Sequence, residues 1–203
     1  MDDTSSFLGN DADRNFPQNS HNYRAEHALS SFDVPHRGVV SFVYALPFHD
    51  RLLRNFETAG IIAAQSGQPF TPILQFDNSN TGNTGGTFGS DRPNVVGSPS
   101  LANPSAKEWF NTAAFAIPAK YTFGNAGRNI LRGPGLATFD LSLSRKFTIS
   151  DRTTFQVQAQ AFNLLNRENL NLPNLFADDP GNFGKIFSAK APRQVQLAMR
   201  LSF

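Results

Sequence analysis

Asp77-Asn78-Ser79-Asn80-Thr81-Gly82 sets oxygen-bearing side chains at alternate positions ahead of a glycine, the way a calcium loop begins. Such a loop closes on a bidentate glutamate at its twelfth position. Here that position is Phe88, so a cation site is the weaker reading and hydrated loop the stronger. The histidines His21, His27, His36 and His49 include no i, i+4 pair and the chain has no cysteine, which leaves zinc without its usual donor set. His36 with Arg37 reads instead as a polar strand entrance. Gly124-Asn125-Ala126-Gly127 has the glycine spacing of an RNA-binding loop but lacks the helices that flank one. The cluster from Gly82 to Gly89 lacks the Gly-Lys-Ser/Thr ending of a phosphate loop and reads as flexible loop, while Asp178-Asp179 reads as surface charge. No serine, histidine or carboxylate pair falls in a nucleophilic or acid–base constellation. The expectation is therefore a chain without catalytic, metal-binding or cofactor-binding residues.

The most regular spacing in the chain belongs to a different chemistry, that of a surface between two solvents. Gln194 to Phe203 alternate without a fault: Val195, Leu197, Met199, Leu201 and Phe203 fall on one face of a strand, and Gln194, Gln196, Ala198, Arg200 and Ser202 on the other. Ten residues, tilted, are about what a strand needs to cross a bilayer. Upstream, Phe155, Val157, Ala159 and Ala161 alternate with Gln156, Gln158 and Gln160. Further upstream, Phe139, Leu141, Leu143 and Phe147 alternate with Asp140, Ser142, Ser144 and Lys146, with Arg145 alone in the apolar register. Near a strand end, an arginine on the apolar face can snorkel to the headgroups. The apolar residues are expected to face lipid and the glutamines, with Arg200, a wet lumen.

Positioning these faces requires five antiparallel strands, at about 37–48, 54–66, 137–148, 153–165 and 193–203. Val40, Phe42, Tyr44 and Leu46 form the stripe of the first, and Pro47 to Leu53 its turn. The second is the least regular, because Ile61 and Ile62 are adjacent and Gly60 interrupts it. Short connections follow Phe48 and Phe147, whereas Ser66–Leu136 and Asn166–Pro192 are long. Transmembrane barrels keep short turns on the periplasmic side and long loops outside. Charged residues make up 17% of the chain, below the roughly 25% of soluble domains, and no run of about 18 apolar residues offers a spanning helix. Twenty Phe against one Trp and three Tyr fit aromatic girdles, and a net charge of +2 without a basic stripe argues against nucleic acid. Met1-Asp2-Asp3-Thr4-Ser5-Ser6 reads as neither the basic nor the apolar region of a secretory signal. Five strands cannot close a barrel, the smallest of which uses about eight, so the chain is expected to be the tail of a longer protein. The competing expectation is a secreted or surface β-sandwich for adhesion or carbohydrate binding.

Several stretches carry a family resemblance: Asp33-Val34-Pro35-His36-Arg37, Tyr44-Ala45-Leu46-Pro47-Phe48, Gln65-Ser66-Gly67-Gln68-Pro69-Phe70 and Trp109-Phe110-Asn111-Thr112-Ala113-Ala114-Phe115. In this order they resemble the C-terminal barrel of TonB-dependent receptors. Phe123-Gly124-Asn125-Ala126-Gly127-Arg128-Asn129 with Arg132-Gly133-Pro134-Gly135, then Ala161-Phe162-Asn163-Leu164-Leu165-Asn166, then Phe183-Gly184-Lys185-Ile186 with Pro192-Arg193-Gln194, resemble its Oar-like, acidobacterial branch. The resemblance implies a segment of a roughly 22-stranded outer-membrane transporter with a plugged lumen. It further implies as partners outer-membrane lipid, the remainder of the parent barrel and its plug, the outer-membrane assembly machinery, and TonB through an amino-terminal part outside this sequence. The aromatic terminus at Phe203, with Val195, Leu197, Met199 and Leu201 before it, resembles the signal by which that machinery recognises its substrates.

Overall fold

The computed structural model describes residue 1 and residues 17–47, 54–82 and 91–203. Among these residues the chain is all-β, with strands β1 (Arg37–Ala45), β2 (Phe56–Gln65), β3 (Pro69–Phe70), β4 (Asn94–Val95), β5 (Phe115–Ala116), β6 (Leu131–Arg132), β7 (Leu136–Ser150), β8 (Thr153–Phe162) and β9 (Gln194–Ser202), and two short 3-10 turns at Tyr23–Glu26 and Thr112–Ala114. They divide into two compact units. The sheet unit comprises His36–Ser66, Gly135–Asn169 and Ala189–Phe203; the connection unit comprises Met1–Pro35, Gly67–Pro134 and Leu170–Ser188. No helix of the described residues is long and apolar enough to cross a membrane.

In the sheet unit the order is β1-β2-β7-β8-β9, antiparallel throughout. Each expected strand is present, starting or ending within a few residues of its expected bounds. The alternation explains why: Thr, Val, Phe, Ile and Leu at every second position suit a pleated surface and offer no helical stripe. Asp151-Arg152 joins β7 to β8, and Asn55, at φ 68°, enters β2 in a left-handed conformation that asparagine tolerates. The expected turn and strand end at 48–53, with His49, lie outside the described residues. β7 runs five residues past its pairing with β2, which stops at Arg145, and five before its pairing with β8, which starts at Leu141. Such stagger belongs to strands tilted in a barrel wall.

The irregular strand, β2, is repaired across the sheet. Phe42 stands opposite Gly60, and a Cβ added at Gly60 would come within 2.6 Å of two Phe42 ring atoms. The aromatic ring covers the backbone that the glycine leaves bare, so Gly60 fits the strand and does not break it.

The connection unit overturns the expectation that the long connections are loop tissue. Phe70, Phe110, Leu131 and Phe183 form a buried cluster against which Trp109, Phe115 and Leu175 pack. Phe110 meets Phe183 at 5.0 Å and Phe115 at 5.6 Å between ring centroids, both edge-on, an arrangement that aromatic quadrupoles favour. These phenylalanines were expected in membrane girdles; they make a water-excluding core instead. The two long connections are also bonded to each other, Ile73 N–H donating to Leu175 O and Ala177 N–H to Ile73 O, both at 2.9 Å. At Gly67, a Cβ would lie 1.8 Å from the Gly133 carbonyl, so the Ser66-Gly67-Gln68-Pro69-Phe70 and Arg132-Gly133-Pro134 stretches meet backbone to backbone beside the β3–β6 pair. Trp109 Nε1–H donates to Arg132 O at 2.8 Å and closes the same corner.

Candidate functional site

The register turns five separate stripes into one surface. Along one row Phe42, Gly60, Leu141, Ala161 and Val195 are partners in sequence; along the next, Tyr44, Thr58, Leu143, Ala159 and Leu197; along the next, Phe56, Arg145, Val157 and Met199. Phe147, Phe155 and Leu201 continue it, and Ile62 with Phe139 extends it the other way. This apolar face is not hidden: Val40 is 61% exposed, Leu197 76% and Met199 73%. Val195 and Leu201 are exposed too, Phe139, Leu141, Phe155, Val157 and Ala159 are half-buried, and Leu143 is at the margin of exposure. Phe203 follows the last strand and is 97% exposed. A β-sandwich hides such a face against a second sheet, which the exposure of these side chains contradicts.

Arg145, the one cation in the apolar rows, lies over two rings, 5.1 Å from the Phe56 centroid and 4.5 Å from that of Phe147. Both are cation–π distances, and they let a guanidinium sit in an apolar surface near the short-turn end. The two rings accommodate the guanidinium in addition to any reach of the side chain toward the headgroups.

The opposite face carries Asp140, Ser142, Ser144 and Lys146 on β7, Gln156, Gln158 and Gln160 on β8, and Gln194, Gln196 and Arg200 on β9. Gln196 stands opposite Gln160 and donates its side-chain N–H to the Gln160 side-chain Oε1, while Gln156 stands opposite Arg200. Towards β1 and β2 the same face changes character, with Val39, Val43, Ala59, Ile61 and Ala63. The sequence does not show this, because Ile61 and Ile62 lie on opposite faces and only the register of β1 against β2 brings Ile61 beside Val39 and Val43.

In the connection unit the structure assembles charged residues that no motif linked. Glu26, 1% exposed, pairs with Arg92, 2% exposed, and accepts the Gln18 backbone N–H at 3.1 Å. Arg128, equally buried, donates Nε–H to the Glu26 carbonyl at 2.9 Å. Gln18 accepts the Arg92 N–H at 2.9 Å and donates to Gly124 O at 2.9 Å. Burial lowers the Arg92 guanidinium's pKa, against the pull of Glu26. Partners 66 and 74 residues apart leave no local signal to read.

The Asp77–Gly82 stretch, read as loop in preference to a cation site, is a self-capped turn. Asp77 accepts N–H from Gly82 at 2.7 Å and Thr81 at 3.2 Å and the Ser79 hydroxyl at 3.0 Å. Burial acts to raise the Asp77 pKa, but these donors outweigh it and hold the carboxyl below its usual range. Asp91, fully buried, accepts Ser79 N–H at 2.6 Å, yet burial keeps its pKa above the usual range. Asn78 turns its amide away to Ala119 O and Thr122 O, at 2.9 and 2.8 Å. Oxygens occupied by donors are a poor cage for a cation. Phe88 and the rest of the glycine cluster from 83 lie outside the described residues. Asp178 accepts the Gln75 N–H at 3.0 Å, so it is a loop cap and more than surface charge. His21, His27 and His36 are exposed, and among the described residues no three His, Cys, Asp or Glu converge as metal donors.

A family model described as an outer membrane beta barrel domain matches residues 1–196. No curated protein and no solved structure matches the chain.

Proposed function

The chain belongs to the outer membrane beta barrel domain family and is thus an outer-membrane barrel protein in contact with lipid; from that premise we propose that it forms wall and external loops of a TonB-dependent, Oar-like receptor or transporter. The observation that carries this reading is the apolar face, in register over five strands and left exposed, backed by a face of amides and hydroxyls. In lipid that pattern is the stable one, since aliphatic side chains meet acyl chains and glutamines meet water. In this reading Phe139, Leu141, Leu143, Phe155, Val157 and Ala159 face lipid, and Gln156, Gln158, Gln160, Gln194, Gln196 and Arg200 line the lumen. β1 ends and β2 starts on the same side of the sheet as the Asp151-Arg152 connection, opposite the ends of β2 and β8 that lead into the long connections, so in this reading the short side is periplasmic and the long connections are external loops.

β1 and β9 each pair on one side only among the described residues. Bare strand edges are too costly in hydrocarbon to persist, so further strands flank both, to the roughly 22 of a plugged transporter. The absence of cysteine makes the wall testable by single substitutions. In outer-membrane vesicles, Gln158→Cys should react with a water-soluble maleimide and Val157→Cys should not; the reverse pattern would overturn the assignment of faces. TonB dependence is tested by cross-linking in intact cells: recovery of the protein coupled to TonB supports it, and its absence under conditions that capture another receptor leaves a TonB-independent barrel.

A further inference from the structure

We propose that the lumen-side face of the sheet holds a binding site for an amphipathic cation, in the form of the free amino end of a short apolar peptide. A hollow of about 410 Å³ lies in the middle of this sheet. That volume falls in the range of about 300–1,000 Å³ usual for small-molecule sites. One side is aliphatic, with Val43, Ala59 and Ile61; the other carries the polar Asp140, Ser142 and Gln160, with Phe162 beside Asp140.

The composition selects the ligand. Asp140 is the one charged residue of the lining, so an anion is repelled and an ammonium group attracted. Its Oδ1 already accepts the Asn163 backbone N–H at 2.8 Å, and among the described residues no donor occupies Oδ2. An ammonium donor there makes a charge-assisted hydrogen bond. Ser142 and Gln160 are direct cross-strand partners one pleat away from Asp140 on the same face. Gln196 takes up the Gln160 side-chain Oε1, which leaves the Gln160 NH₂ to donate. A carbonyl next to the ammonium, as a peptide supplies, meets that donor. The aliphatic side then takes an apolar side chain, which a sugar lacks. A lipid tail would leave the polar side without partners.

The inference rests on the reading of this face as lumen, and the test separates the two. Val43→Cys and Val40→Cys, on opposite faces, are introduced singly in the protein in outer-membrane vesicles and labelled with a water-soluble maleimide. Labelling of Val43→Cys with Val40→Cys silent supports the lumen reading; the reverse removes it and the proposed site together. Labelling of Val43→Cys is then repeated with phenylalanyl-leucine amide and with its N-acetyl form, which lacks the charge. The expected result is slowing by the free amine alone, with its half-effective concentration raised about tenfold or more by Asp140→Asn. Asparagine keeps an acceptor for Asn163, and an unchanged labelling rate without peptide confirms that the sheet is intact. Equal slowing by both peptides, slowing that survives Asp140→Asn at the same concentration, or no slowing at all overturns the site while leaving the lumen reading in place.

Discussion

The two units use the same kinds of side chain and treat them in opposite ways. In the connection unit Phe70, Phe110, Leu131 and Phe183 are 4, 3, 7 and 6% exposed. In the sheet Val195, Leu197 and Met199 are 67, 76 and 73% exposed although they alternate as regularly as any buried strand. At about 25 cal/mol per Å² of apolar surface, a soluble fold would not leave such a face in water. The connection unit contains its own apolar phase; the sheet depends on one outside the chain. Large Phe content therefore carries two different meanings within one sequence.

The sharpest way to break this comparison is at the connection unit's polar heart. Glu26→Ala leaves Arg92 buried without its counter-charge, an arrangement that costs about 3–5 kcal/mol. Trp109, the single tryptophan, belongs to this unit and reports its unfolding in urea by fluorescence. A large drop in the midpoint is expected for Glu26→Ala, and a much smaller one for Glu26→Leu combined with Arg92→Leu, which removes both charges. An unchanged midpoint for the single variant would mean that the unit is not held by its interior.

In the sheet the decisive contrast is between neighbours. Val157→Arg should destabilise the protein in phospholipid by about 2–4 kcal/mol if it lies near the bilayer midplane, and Leu143→Arg similarly, while Gln158→Arg should be mild. Denaturant titration followed by the sheet's circular dichroism measures all three. Equal costs at positions 157 and 158 would contradict the two-solvent reading.

How much was readable follows from the same contrast. The strands and their faces were legible because a period of two is a local property, carried by residues such as Phe155, Val157 and Gln158 whatever their partners. The connection unit was not. Phe70, Phe110 and Phe183 have no period between them, and Glu26, Arg92 and Arg128 come together across distances that composition cannot encode. Even in the sheet the patch of Val39, Val43 and Ile61 on the polar face emerged only once register set β1 against β2. At Asp77 the missing twelfth-position carboxylate already favours loop over cation site, but oxygen spacing alone does not say which N–H groups will occupy the oxygens.

Phe203 sharpens the comparison from the side of assembly. If the last strand is read by the outer-membrane assembly machinery, deleting Phe203 or appending a polar tail should reduce the protein reaching the outer membrane, whereas Phe203→Tyr or Phe203→Trp should be tolerated. As a mere edge residue, Phe203 would contribute at most about 1.5–3 kcal/mol of burial. Quantifying outer-membrane yield for the four variants decides; undiminished yield after deletion and extension removes the signal.

The smallest effect is a pair of opposed pH slopes in the connection unit. Ser79 donates to both Asp77 and Asp91, yet the two carboxyls shift in opposite directions from 3.8. Burial dominates at Asp91, so its folded pKa lies above the unfolded one. The folded state takes up that proton first, and lowering pH from neutral through the folded value adds stability. At Asp77 burial also acts upward but is outweighed by the Gly82, Ser79 and Thr81 donors, so the folded pKa lies below the unfolded one. Its stabilisation is complete above the unfolded value and is lost as pH falls through the folded value. In the parent protein the two slopes partly cancel. Asp91→Asn should leave only the loss at low pH, and Asp77→Asn only the gain on approaching about pH 4, the former the weaker because solvent screens the partly exposed Asp77. Trp109-detected urea midpoints between pH 3 and pH 7 check both. Parallel profiles in the two variants would show that Ser79 does not divide the pair as the geometry states.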